Sequence, residues 1–153
     1  MGRGFAVERL GPDGLDRLRQ VNDLFGAVFD DRDSYCRRPP DDAYAARLLA
    51  REDTILLAAL SGEAMIGALA AYVLPKFEQA RSEIYIYDLA VVPDWRRRGV
   101  ATALIDEVRR IARAVGAWVI YVQADTGEED AAAIALYDSL GTREEVLHFD
   151  IAP

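Results

Sequence analysis

Residues 82–104 carry the feature that most restricts the fold, a strand, a turn and a helix in immediate succession. The run Ser82-Glu83-Ile84-Tyr85-Ile86-Tyr87-Asp88-Leu89-Ala90-Val91-Val92 is rich in β-branched and aromatic residues. It stops at Pro93, whose missing N–H cannot continue a ladder. From Val100 the period changes, because Val100, Leu104, Val108, Ile111 and Val115 recur at helical spacing with Asp106, Glu107, Arg109, Arg110 and Arg113 between them. Arg96-Arg97-Arg98-Gly99 lies at the junction. The first helical turn therefore aims unpaired N–H groups and the positive end of its dipole at an arginine-glycine turn, a place suited to an anion such as a pyrophosphate.

The rest of the chain surrounds that unit with further elements. Phe5 to Leu10 alternates weakly and precedes the turn-rich Gly11-Pro12-Asp13-Gly14, which predicts a first strand. Leu15, Leu18, Val21, Leu24, Phe25, Val28 and Phe29 form one helical stripe, closed by Asp30, Asp31 and Asp33. Residues 30–42 read as a polar loop stopped by Pro39 and Pro40, placed to cover an acceptor site, and a short helix with Tyr44, Leu48 and Leu49 on its face follows. Residues 54–60 and 64–74 flank Ser61-Gly62-Glu63 as a hairpin. Residues 117–125 form a nearly all-apolar run expected of a strand in a sheet interior. Ala133, Ile134, Leu136, Tyr137 and Leu140 build a last helix with Gly141 as its C′ residue, and residues 142–151 supply a last strand.

At 153 residues, without linker, repeat or low-complexity segment, the whole chain 1–153 reads as a single α/β domain of the α+β type. A net charge of −8 excludes a role resting on phosphate-backbone contacts, and it would attract a cationic substrate. The longest apolar stretch, Ile55 to Leu60, is far too short for a membrane span, and the N-terminus lacks a signal-like apolar region, so a cytoplasmic protein without a membrane partner is expected. One cysteine, Cys36, and one histidine, His148, make neither a disulfide nor a zinc site, and no metal is implied. Cys36 reads as an incidental thiol, His148 as a strand histidine, and Trp95 and Trp118 as packing residues.

Arg96-x-x-Gly99-x-Ala101, after a strand ending Leu89-Ala90-Val91, resembles the acetyl-CoA signature of the GNAT N-acyltransferase superfamily. Residues 67–91, Tyr121-Val-Gln-Ala-Asp125 and Arg143-Glu-Glu-Val-Leu-His-Phe-Asp150 extend the likeness to the gentamicin type of aminoglycoside 3-N-acetyltransferase. The resemblance implies a mixed, largely antiparallel central sheet flanked by four helices, its fourth and fifth strands splayed into a cleft between residues 88–92 and 118–125. It also implies acetyl transfer from acetyl-CoA to the 3-amino group of 2-deoxystreptamine drugs, hence resistance to gentamicin-like compounds, and a possible homodimer.

On that reading the backbone of Leu89, Ala90, Val91 and Val92 pairs with the pantetheine arm. Arg96, Arg97, Arg98 and Gly99, with Val100, Ala101 and Thr102 in the first helical turn, hold the pyrophosphate. Direct attack needs a neutral amine, a polarised carbonyl and a proton for the departing thiolate, and no covalent enzyme intermediate. Tyr137, implied to lie by the cofactor sulfur, is the proton donor. Asp88, Glu83 and Asp125 are candidate bases, with Asp88 favoured. Asp88 and Glu83 have opposite strand parity and share a face only if a bulge intervenes. Asp88, Asp125, Glu128, Asp150 and Asp33, with Asp30, Asp31, Glu129 and Asp130 nearby, are candidates for the mouth that receives a polycationic sugar. Alternatives remain an acetyltransferase for another polyamine or a protein N-terminus, and a non-catalytic acyl-CoA-binding regulator.

Overall fold

A computed structural model describes residues 4–153, in two compact units, one ending at Val122 and one running from Gln123 to Pro153. The first is built on a five-stranded sheet. Its elements are β1 (Ala6–Arg9), α1 (Leu15–Val28), α2 (Arg32–Cys36), α3 (Asp42–Leu49), β2 (Thr54–Ser61), β3 (Ala64–Pro75), β4 (Ser82–Val91), α4 (Val100–Val115) and β5 (Ala117–Val122). The strands lie in sequence order, antiparallel except for the β4–β5 pair, which is parallel. A parallel pair needs a crossover, and α4 supplies it.

Two apolar layers hold the sheet. Leu18, Val21, Leu24 and Phe25 of α1 and Ala45 and Leu49 of α3 form one cluster with Ala58, Leu60, Ala68 and Ala90 of the strands. Strand alternation turns Leu57, Leu69, Ile84 and Ile86 to the opposite face, all of them buried. There α4 buries Val100, Leu104, Val108 and Ile111 and keeps the ion pairs Asp106–Arg109 at 3.1 Å and Glu107–Arg110 at 2.6 Å on its outer side. Its start presses on β3 so closely that a Cβ at Gly67 would stand 2.9 Å from Val100 Cγ1.

Two irregularities in β4 shape the site. Ala70 pairs with Asp88 but Ala71 pairs with Ile86, so Tyr87 is the extra residue of a β-bulge. Strand β5 accompanies β4 only from Ser82 to Ile86, and β4 continues to Val91. Beyond Ile86 that edge of β4 has no strand partner among the described residues, which is the splay the resemblance implied.

Several expectations are corrected. Among the described residues there are five α-helices where four were expected, because residues 32–36 form α2 inside the segment expected to be a loop. Asp31 caps it by accepting the Ser34 N–H at 3.1 Å, a local bond that proline-rich flanks concealed. Strand β5 ends at Val122 and is the last strand of the sheet rather than an interior one, and Trp118 is half exposed instead of packed.

The second unit holds a 3₁₀ turn over Glu128–Asp130 and α5 (Ala131–Leu140). Gly141 closes α5 in an extended conformation, φ −149°, not the left-handed one expected of a C′ glycine. Residues 142–153 carry no regular secondary structure, so the expected last strand is absent among the described residues. An extended run becomes a strand only when a neighbour accepts its N–H and C=O groups, and β5 is the last strand in the ladder.

The contact between α4 and β3 is testable. Gly67→Ala is expected to destabilise the fold by about 1–3 kcal/mol through overpacking, with part of the loss recovered by adding Val100→Ala. Urea unfolding of the three variants reads this directly, and an unchanged midpoint for Gly67→Ala would refute so close an approach.

Candidate active site

Backbone geometry prepares one half of the site. The Val92 N–H donates to Ile66 O at 3.0 Å across the β3–β4 ladder. Antiparallel alternation then commits Ala90 to β3 as well, and leaves the N–H and C=O of Leu89 and Val91 facing the splayed edge. Of the four expected pantetheine partners, two are therefore available and two are engaged. The Val91 carbonyl accepts the Arg96 Nε–H at 3.1 Å, which spends part of the Arg96 guanidinium on bracing the turn.

The turn itself passes through a 3₁₀ segment, Pro93–Trp95, and two left-handed residues, Arg97 at φ 58° and Gly99 at φ 81°. The Arg98 guanidinium sits 5.1 Å from the Trp95 ring centroid. The first ladder bond of α4 runs from Ala103 N–H to Gly99 O at 3.0 Å, so the amides of Val100, Ala101 and Thr102 precede it. No acidic residue occupies that first helical turn, and a Cβ at Gly99 would meet nothing within 4 Å. An open, positively polarised helix start beside an unpaired strand edge fits a ligand that joins a pyrophosphate to a chain of amides.

Asp88 prepares the other half. The bulge at Tyr87 restores its parity with Glu83 and Tyr85, so all three lie on the face that carries α1 and α3. There Asp88 borders a cavity of about 450 Å³ lined also by Asn22, Asp31, Ser34, Tyr35, Tyr72 and Tyr87. The Tyr35 hydroxyl donates to Asp88 Oδ1 at 2.8 Å. Burial pushes the Asp88 carboxyl above the usual carboxylate range, and the Tyr35 hydrogen bond opposes that rise. No ion pair of Asp88 occurs among the described residues. Tyr72 and Tyr87 meet edge to face at 6.1 Å, Tyr85 and Tyr87 at 5.5 Å, and Tyr85 stacks on Tyr121 at 4.8 Å, giving an aromatic floor beside the carboxylate.

The remaining candidates separate by position. Glu83 faces Lys76 at 3.8 Å, five residues before Asp88 on β4. Asp33 stands near Arg37 at 4.0 Å and does not line the cavity, whereas Asp31 does. In the second unit Tyr137 lies on α5, and burial, then the Asp130 charge, pushes its hydroxyl up to about 12. Glu128 begins the 3₁₀ turn, Asp125 precedes it, and Asp150 sits 3.0 Å from His148 Nε2 in a segment that is not a strand. Cys36 has its thiol pushed up by burial and then by Asp23, which suits an inert side chain.

Sequence reasoning missed Tyr35, Tyr72 and Tyr87. A signal existed for Tyr72, a lone tyrosine in the apolar run 64–74, and for Tyr87, since tyrosine recurs at 85 and 87. None pointed to Tyr35, which stood in a segment read as loop.

The sequence matches the acetyltransferase (GNAT) family over residues 19–142. It is 51% identical to an aminoglycoside acetyltransferase from an uncultured soil metagenomic sample, with 100% of this chain and 99% of that one covered at a TM-score of 0.96. A second aminoglycoside acetyltransferase from such a sample, solved in complex with sisomicin, is 30% identical, with 97% and 96% covered at a TM-score of 0.87. An aminoglycoside N-acetyltransferase, AAC(6')-Iy, solved in complex with CoA, shares the fold at 21% identity, with 97% and 94% covered and a TM-score of 0.74. No curated protein matches the sequence at a significant level.

The raised Asp88 pKa has a consequence for stability. An acid whose folded pKa exceeds its unfolded one is harder to ionise in the fold, so its contribution weakens as pH rises through that window. Asp88→Asn is therefore expected to raise the unfolding temperature at pH 7, with the advantage shrinking as pH falls to the ordinary aspartate value of about 3.9. Thermal unfolding from about pH 3, roughly one unit below the ordinary aspartate value, to about pH 7.5 tests this, and a pH-independent difference would count against it.

Proposed function

The chain belongs to the acetyltransferase (GNAT) family and is an acetyl-CoA-dependent N-acetyltransferase, and from that premise we propose that it acetylates an amino group of an aminoglycoside. The observation that carries the proposal is the half-buried Asp88 carboxylate, bonded by the Tyr35 hydroxyl, in a cavity floored by tyrosines and edged by Asp31. Such a pocket suits a sugar bearing ammonium groups, because rings lie on aromatic faces and ammonium ions on carboxylates. The overall charge of −8 favours encounter with a polycation. Aminoglycoside acetyltransferases at 51% and 30% identity support the same substrate class. At finer grain we assign the 3-amino group of 2-deoxystreptamine in gentamicin-like drugs, on the sequence likeness over residues 67–91 and 143–150. Loss of that ammonium removes a charge used in binding ribosomal RNA, so resistance would follow. One match spanning residues 19–142 crosses both compact units and supports a single domain.

Acetyl-CoA supplies an acetyl group activated as a thioester. The acceptor nitrogen bonds to the acetyl carbon as the carbon–sulfur bond breaks. Asp88 takes the proton that nitrogen loses, directly or through water, and the Val91 N–H, on the open edge of β4, polarises the thioester carbonyl. Tyr137, held protonated at neutral pH by its pKa of about 12, gives the departing sulfur a proton. Glu83 is left to Lys76 and is given no part in the chemistry.

Acetyl-CoA turnover read by thiol release, against gentamicin, kanamycin, spermidine and an N-terminal peptide, separates the readings, with NMR locating the product acetate. Turnover on gentamicin at the 3-amino nitrogen is expected, falling ~100-fold or more in Asp88→Asn and by a comparable factor in Tyr137→Phe. Preference for spermidine or the peptide would favour the polyamine or N-terminal reading. CoA binding without turnover on any acceptor would favour the regulator.

We also propose that the protein is a homodimer joined through residues 142–153. Val146, Leu147, Phe149 and Ile151 are 67%, 83%, 76% and 90% exposed, a concentration of apolar surface in an extended segment that a second copy, with its own open β5 edge, is suited to cover. Light scattering should give twice the chain mass, and Phe149→Asp should shift it to the single-chain value. A wild-type monomer at micromolar concentration would rule the dimer out.

A further inference from the structure

We propose that Tyr35 is a positioning residue for Asp88, fixing one carboxylate oxygen with its hydroxyl so that the other is presented to the acceptor amine. The proposal rests on the reading of Asp88 as the group that accepts the amine proton. It begins at Gly26, on the inner side of α1, where a Cβ would stand 2.9 Å from Cys36 Sγ and 3.4 Å from Arg32 Cα. Because glycine leaves that space, α2 folds back tightly onto α1. Asp30, left-handed at φ 52°, turns the chain, and the Asp31 N–H donates to Gly26 O at 3.0 Å. Asp31 then caps α2 through Ser34.

One turn later Tyr35 enters the gap between helix and sheet. Its ring packs against Phe25 and Phe29 at centroid separations of 5.6 and 5.8 Å, which leaves its hydroxyl little choice of direction. It ends 2.8 Å from Asp88 Oδ1. Oδ1 is occupied and Oδ2 is not given a partner by Tyr35, so the carboxylate keeps one acceptor for an amine or a water. A hydrogen bond to a carboxylate also favours its charged form. Desolvation and the Asp88 charge keep the Tyr35 phenol itself protonated, so it remains a donor through the working range.

The titratable groups around Asp88 are few. Tyr35 and Asp31 face it from α2 and its cap, Tyr72 from β3, Tyr85 and Tyr87 from β4, with Tyr44 of α3 behind Tyr72 and Tyr121 of β5 behind Tyr85. Burial pushes the Tyr35, Tyr72 and Tyr85 hydroxyls up, and hydrogen bonds from the Ser34 hydroxyl and then its N–H hold the Asp31 carboxyl below its usual value. In the acidic limb of a rate profile, the group in this cavity that changes charge above the Asp31 range is Asp88.

The test is Tyr35→Phe, which keeps the ring among Phe25 and Phe29 and deletes only the donor. Carbon-13 NMR of aspartate-labelled protein gives the Asp88 titration directly, its signal assigned by loss in Asp88→Asn, and gentamicin turnover gives the rate profile. In Tyr35→Phe the Asp88 titration and the acidic limb of kcat should both move to higher pH, with kcat at pH 7 down about tenfold and KM changed less than threefold, since a donor to a charged group is lost. Gly26→Ala, which must push α2 away from α1 with the hydroxyl intact, should move the titration in the same direction. An Asp88 signal titrating at its wild-type position in both variants overturns the proposal. Asp88→Asn with wild-type kcat overturns instead the assignment of Asp88 as proton acceptor, and so identifies which of the two claims has failed.

Discussion

One extra residue in β4 decides what this sheet can do. Without the bulge at Tyr87, alternation from Glu83 would turn Asp88 to the face covered by α4, among Ile84, Ile86 and Leu104. A lone carboxylate there would be buried in apolar surroundings at severe cost. With the bulge it turns to the face of α1 and α2, where a tyrosine can reach it. The same point ends the β4–β5 pairing, at Ile86 and Val122. Bulges bend strands and increase twist, so the residue that redirects Asp88 also stands where the two strands part.

From that point the strand serves two opposite charges within a few residues. Asp88 offers a negative group to one face, while Val91 and the amides of Val100, Ala101 and Thr102 offer hydrogen-bond donors at the strand edge and the helix start. On the proposed reading, a cationic acceptor and an anionic cosubstrate would be received by neighbouring parts of one strand-turn-helix unit. The arginines do less of this than their number suggests. Arg96 is turned back on Val91 O and Arg98 lies against Trp95, so the turn is stiffened by side chains and made attractive to anions by its backbone.

Local periodicity made much of this legible in the sequence. Helix α4 was readable because its buried residues repeat at helical spacing without interruption, and the hairpin because Gly62, at φ 59°, stands between two apolar runs. Asp88 was chosen on chemistry, but its direction was not readable, since parity alone left it opposite Glu83 unless a bulge intervened, and the bulge at Tyr87 has no local sequence mark. Helix α2 escaped because it has five residues and buries none, leaving no stripe to detect. Tyr35 escaped with it, because the contact between Tyr35 and Asp88 spans 53 residues and depends on a missing Cβ at Gly26. The run at residues 142–151 failed for the converse reason: its pattern suits a strand, but a strand is completed by a neighbour, which no segment specifies alone.

A carboxylate that binds an ammonium also stabilises its protonated form, which opposes the deprotonation that acetyl transfer requires. The surroundings of Asp88 lessen that conflict from two sides. Desolvation raises its basicity, so as the proposed base it would compete better for an amine proton, while the Tyr35 hydroxyl restrains the rise and favours the charged form that would attract an ammonium. A stronger donor at Tyr35, such as a guanidinium, would make the carboxylate too weak a base. Without the Tyr35 donor, burial would act on the carboxyl unopposed. A neutral phenol, held in place by Phe25 and Phe29, opposes the effect of burial without adding a charge, a balance that suits a proton acceptor.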